Sequence, residues 1–156
     1  MKYKILNIMV LSCVLNTTKA ESLYLDIHGY SKHRDWENHV DVQMHPELSN
    51  GFIEINPGVG LTYEFDNWQS ASVGVYKNSL GNNTVYGAYG SKFKFNNHVA
   101  VTLNVGIVSG YYKTFSPMVA PALSIGNEYR VNIGFIPEIN KITPEVSYVN
   151  FQIKIN

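Results

Sequence analysis

Val73–Gly90 reads VGVYKNSLGNNTVYGAYG. Apolar and aromatic residues alternate on both sides of a polar middle. Val73, Val75, Val85 and Tyr89 share one face, and Gly74, Tyr76, Tyr86 and Gly90 share the other. A period of two is the mark of a strand, because successive side chains leave it on opposite sides. Between the two runs, Asn78-Ser79-Leu80-Gly81-Asn82-Asn83 is dense in residues that tolerate positive φ or cap a turn. The stretch predicts an antiparallel hairpin with one hydroxyl, Ser79, in its loop.

The same alternation extends outward in both directions. Upstream it covers Ser22–Tyr30, Phe52–Phe65 and Trp68–Lys77; downstream it covers Thr84–Phe95, Val99–Val108, Met118–Ile125, Glu128–Ile136 and Val146–Asn156. No helical periodicity follows Ala20. Asp66-Asn67, Asn96-Asn97 and Gly126-Asn127 are short turns, and they alternate with longer connections at Ser31–Asn50, Ser109–Pro117 and Pro137–Glu145. About eight strands with short turns at one end and longer loops at the other predict an all-β, eight-stranded antiparallel up-and-down barrel of the outer-membrane type.

A soluble barrel would alternate in the same way with its faces exchanged. The polar face decides between them. Its strand centres carry Ser70, Ser72, Thr102, Asn104 and Gly106 rather than the Lys and Glu of a water-facing surface. Small polar groups suit a narrow packed lumen. The chain has 15% charged residues, with 12 basic and 12 acidic side chains in balance, which leaves no footprint for nucleic acid.

Met1–Ala20 reads as a secretory signal. Lys2 and Lys4 precede the apolar run Ile5–Leu15, and Thr18-Lys19-Ala20 offers small residues for cleavage. The expected organisation is a signal peptide over 1–20 and a barrel over 21–156, exported to the bacterial outer membrane. The run is too short to span a bilayer as a helix. Cleavage before the single cysteine, Cys13, would make a lipoprotein but would leave a very short apolar run. With Cys13 in the leader, the mature chain has no thiol for a disulfide or metal site. The spacing of six between His33, His39 and His45 fits no compact metal motif, and no helix places them together, so no metal or cofactor is expected. The loop charges Lys32, Arg34, Asp35 and Glu37 suit contact with lipopolysaccharide phosphates or their bridging cations.

With the short turns at the periplasm, the outer half of the lumen receives Tyr30, Phe52, Tyr76, Tyr86, Val108, Met118, Ala120, Gly134 and Ile136. The inner half receives Asp26, Thr62, Glu64, Ser70, Lys92, Lys94, Arg130, Asn132, Gln152 and Lys154. The apolar upper half either houses a hydrocarbon chain, worth about 0.8 kcal/mol per buried methylene, or simply fills the barrel. Pro57 and Pro121 each remove a ladder hydrogen bond within a strand. They mark either a weakened seam or a bulge.

Several short motifs, in order, resemble the outer-membrane lipid A palmitoyltransferase family. They are Asn56-Pro57-Gly58-Val59-Gly60-Leu61, Tyr76-Lys77-Asn78-Ser79, Tyr86-Gly87-Ala88-Tyr89-Gly90, Pro117–Gly126 and Phe135-Ile136-Pro137. The resemblance covers about the last hundred residues. It implies an eight-stranded barrel that moves a palmitoyl-like chain from a phospholipid to lipid A, acting as a monomer on membrane lipids without a cofactor. On the matching positions it implies catalytic roles for His28 (with His33 as the second choice) and Ser79. Asn78 stands where the family has Asp and takes the orienting role. The resemblance also implies an acyl-chain pocket of Phe52, Tyr76, Tyr86, Val108, Met118 and Ala120, and lateral openings flanked by Pro57, Pro121 and Pro137. The competing expectation is a non-catalytic surface barrel whose external loops meet lipids or another macromolecule.

Overall fold

The computed structural model describes residues 22–34, 51–111, 114–137 and 145–156. The expected signal segment 1–20 and loop residues Asp35, Glu37, His39 and His45 lie outside them. Eight strands follow in order: β1 (Ser22–Arg34), β2 (Ile55–Glu64), β3 (Gln69–Lys77), β4 (Asn83–Lys94), β5 (Val99–Val108), β6 (Ser116–Gly126), β7 (Tyr129–Ile136) and β8 (Glu145–Lys154). Each pairs antiparallel with the next, and β1 pairs with β8, so the sheet closes into a barrel.

The hairpin that anchors the sequence is present in the expected register, with Val75 opposite Val85 and Gly74 opposite Tyr86. Asp66 and Asn96 hold two of the short turns. Each carboxylate or amide oxygen accepts the backbone N–H groups two and three residues ahead, the local bonding that makes Asp and Asn turn formers.

Large apolar side chains cover the outside. Ile53, Leu103 and Phe151 are 42%, 44% and 47% exposed, and Val59, Leu61, Val73, Val75, Val101, Val105, Ile107 and Ile133 join them in a continuous belt. A soluble protein does not leave such a belt in water; a closed barrel in hydrocarbon requires one. Trp68, Phe93, Phe95 and Tyr129 lie exposed near the short-turn end, where aromatic rings suit a membrane interface. The chain has a transmembrane-barrel fold.

The lumen is polar and charged in its inner half. Glu64 accepts from Lys92 and from Arg130 Nη1 (2.6 Å) through the same oxygen, Oε1. Arg130 Nη2 also donates to the Tyr24 hydroxyl at 2.5 Å, and the guanidinium carbon lies 4.0 Å from the centre of that ring. One level higher, Asp26 accepts from Thr62 Oγ1 and Gln152 Nε2, both at 2.7 Å.

Two of the departures from the sequence reading bear on the site. First, β1 runs on to Arg34, and its register shifts between His28 and Tyr30. The bulge at Gly29 moves every later side chain to the opposite face. Tyr30, expected inside, is therefore outside and 43% exposed, whereas Ser31 and His33 are buried. Second, β2 begins at Ile55 rather than Phe52.

The seams are unequal. β5 pairs with β6 along all of Val99–Val108, up to Val108 opposite Ser116. On its other side β6 pairs with β7 only from Gly126–Arg130 to Ala122–Gly134. The same register would next set Pro121 against Phe135 and Ala120 against Ile136, but the ladder stops. Gly126 N–H donates to His98 O on the β5 side. Alternation along the strand then points the backbone groups of residues 117, 119 and 121 toward β7. Pro117 and Pro121 have no N–H to offer there, so the seam ends where its donors run out.

Candidate functional site

His28 sits on the inward face of β1, level with Gly58 on β2 and Asn150 on β8. Its Nε2 is 3.0 Å from the Tyr86 hydroxyl. The Tyr76 and Tyr86 rings flank it at centroid distances of 5.3 and 5.2 Å, the second edge-on. The Tyr86 hydroxyl in turn lies 3.5 Å from Asp26 Oδ2. A line of polar groups therefore runs from His28 through Tyr86 toward Asp26, down the axis of the barrel. Close packing makes it possible. A Cβ on Gly60 would lie 2.4 Å from the Tyr86 hydroxyl, and one on Gly74 would lie 2.6 Å from its ring. Glycine at both positions lets the Tyr86 ring lie flat across the sheet.

Ser79 is buried in the loop after β3, and its carbonyl accepts from Ile53 N–H at 2.9 Å. It lies three residues beyond Tyr76, the β3 residue on the level of His28, or roughly 10 Å further toward the loop end. No hydrogen bond or ring contact joins His28 to Ser79 among the described residues. The neighbouring level is that of Phe52, whose ring stacks on His33 at 4.4 Å. The structure thus puts the second-choice histidine nearer the Ser79 loop than the first, because the Gly29 bulge turns His33 inward.

Asn78 is fully buried and builds the loop. Its Oδ1 accepts from Leu80 N–H (3.0 Å) and Asn82 N–H (2.9 Å), while Nδ2 donates to Gly110 O (2.8 Å) and Thr84 Oγ1 (3.1 Å). Every hydrogen-bonding position of the amide is occupied by the loop and its neighbour. It orients two loops, not an imidazole. Gly110 takes φ of 80°, and a Cβ there would meet Asn83 O at 2.6 Å, so the crossing of the two loops depends on that glycine.

Phe52, Tyr86, Val108 and Ala120 are buried inside the barrel, and Tyr76 and Met118 are half-buried on the same face. Pro121 borders the interrupted β6–β7 seam, and Pro137 follows the end of β7 on its other side. Pro57 faces outward opposite the Gly29 bulge. There β2 stops pairing with β3 at Gly58–Tyr76, and the Asn56 side chain takes over, donating to Lys77 O (3.1 Å) and Ile53 O (3.2 Å). Sequence reading missed Asn56, Tyr86 as the partner of His28, and the role of Asp26 beneath them; the glycines at 60 and 74, opposite a large ring, were the available signal. No group of three or more potential metal ligands occurs among the described residues.

No protein-family model and no curated protein matches the sequence. Among solved structures the chain is similar to a de novo designed transmembrane β-barrel at 12% identity, covering 88% of this chain and 98% of that one with a TM-score of 0.62. A second de novo designed barrel, solved by solution NMR, covers 86% and 94% at 12% identity with a TM-score of 0.59. At that identity the likeness is one of fold.

Proposed function

We propose that this chain is an outer-membrane barrel that admits a phospholipid acyl chain through the β6–β7 seam and transfers it to lipid A, in the manner of the palmitoyltransferase family its motifs resemble. The observation that carries this reading is the ladder stop at Ala122–Gly134 beside Pro121. It supports a lateral path from hydrocarbon toward the inward residues Phe52, Tyr76, Tyr86, Val108, Met118 and Ala120. In the reaction, a histidine accepts the proton of a lipid A hydroxyl as that oxygen attacks the ester carbonyl. The bond to the glycerol oxygen breaks, and the proton passes to that leaving oxygen. Ser79 supplies a hydroxyl to the developing oxyanion. Among the described residues, His28 and His33 are the histidines proposed as this base.

Mass spectrometry of lipid A from cells expressing the chain is the test. An added acyl chain that disappears in Ser79→Ala and in one of His28→Ala or His33→Ala supports the transferase. Unchanged lipid A with the wild-type chain refutes it. That result would favour a non-catalytic membrane barrel, a reading supported by the filled lumen: Tyr86 packs on Gly60 and Gly74, and a Cβ on Gly134 would lie 1.9 Å from the Tyr148 ring.

A further inference from the structure

The short-turn mouth of the barrel contains a cavity of about 110 Å³. It is lined by Lys92, Lys94 and Arg130, with Asn96, His98 and Asn127 around them. No carboxylate is among the residues that line it. Lys92 and Arg130 are buried, only 7% and 9% exposed, and both bond the same oxygen of one carboxylate, Glu64. Glu64 is the one carboxylate bonded to these side chains, so basic groups outnumber acidic ones around the cavity, which favours a further anion there. Lys94 is two residues from Lys92 on the same face of β4, with its ammonium on Asn67 Oδ1 at 2.6 Å. These lysine and arginine side chains come from two strands, β4 and β7, that are not neighbours in the sheet. The space holds several water-sized groups, enough for a tetrahedral oxyanion.

We propose that this mouth is a binding site for a phosphate group, held by Lys92, Lys94 and Arg130. It is separate from the Ser79 end of the barrel and stands whether or not the chain transfers acyl groups. Two sources share the chemistry: the phosphodiester of a phospholipid in the leaflet at this end, or free inorganic phosphate.

The test uses the full chain folded in detergent micelles. Inorganic phosphate is titrated by calorimetry at constant ionic strength, with chloride as the reference anion. Native mass spectrometry of the same protein taken from phosphatidylglycerol vesicles reports retained phospholipid. Saturable phosphate binding, weakened tenfold or more by Lys94→Gln, assigns free phosphate. A retained phospholipid that is lost in Lys94→Gln, with no response to inorganic phosphate, assigns the lipid. Lys94→Gln leaves the Glu64 pairs intact, so a folding defect does not confuse the result; unchanged tryptophan fluorescence checks this. No binding in either arm, a chloride response equal to that of phosphate, or binding indifferent to Lys94→Gln overturns the proposal.

Discussion

Glu64→Gln should be among the most damaging conservative changes in the barrel. The wild-type carboxylate is 3% exposed and is the shared counter-ion of two side chains that are themselves buried, Lys92 and Arg130. The amide keeps the shape and removes the charge. Breaking a buried pair from one side costs about 3–5 kcal/mol, because the partner charge is left uncompensated. Here two partners are left. The mouth cavity beside Lys92 admits water and partly relieves that ammonium, so the lower end of the range, about 3 kcal/mol, is the working value. Arg130 keeps its bonds to the Tyr24 hydroxyl and to Asn127 O (3.0 Å) but loses its counter-ion. With a urea slope of about 2 kcal/mol/M, the unfolding midpoint in lipid vesicles should fall by about 1.5 M. Tryptophan fluorescence follows the transition, since the exposed Trp68 leaves lipid on unfolding. Adding Lys92→Met to Glu64→Gln should restore part of the loss, because one orphaned charge is removed with its partner. A midpoint shift below about 0.5 M for Glu64→Gln, or no recovery in the double variant, would refute the view that this carboxylate holds the floor together.

Asn78→Asp introduces a carboxylate at the position where the family resembled in sequence has one, yet it should destabilise the longer loops by about 1–3 kcal/mol, because Nδ2 can no longer donate to Gly110 O and Thr84 Oγ1; hydrogen exchange over residues 78–85 checks this. Gly58→Ala should cost more than Gly87→Ala in the same urea assay. The first Cβ would lie 2.4 Å from Val75 O, which is backbone and cannot step aside, whereas the second meets nothing within 4 Å. At the long-loop rim, Lys32 Nζ and the Tyr30 hydroxyl bond the Glu54 carboxylate at 2.7 and 2.9 Å and hold its titration below the ordinary 4.5. The stability from that pair is present above the ordinary value and fades as pH falls through the lowered one. Lys32→Gln should move the Glu54 carboxyl titration upward, measured by carbon NMR.

Much of the barrel was legible because hydrophobic alternation and barrel walls have the same period. Val99–Val108 was read as a strand with both ends as found, since apolar and small residues alternate there without interruption. Tyr30 was placed on the wrong face because a bulge leaves no mark in alternation except a glycine, and Gly29 resembles any other strand glycine. The error propagated by a single residue and hid His33. The loop chemistry was legible only as composition. Asn78 could be recognised as a turn former, but not as a side chain whose four hydrogen bonds tie two loops together. Such bonds depend on Gly110, 32 residues away. The inward set of the inner half was read correctly from Asp26 to Gln152, yet sequence could not show that Lys92 and Arg130 converge on one oxygen.

The interrupted seam also bears on how the barrel behaves among its own copies. A strand with an unmatched flank invites another polypeptide to zip onto it, which is the route to swapped dimers and fibrils. At the outer end of β6 the flank offers residues 117, 119 and 121, and two of these are proline. A would-be ninth strand would find one amide donor where it needs three. The same prolines that end the ladder make that flank a poor template, so the interrupted seam can face the bilayer without seeding aggregation.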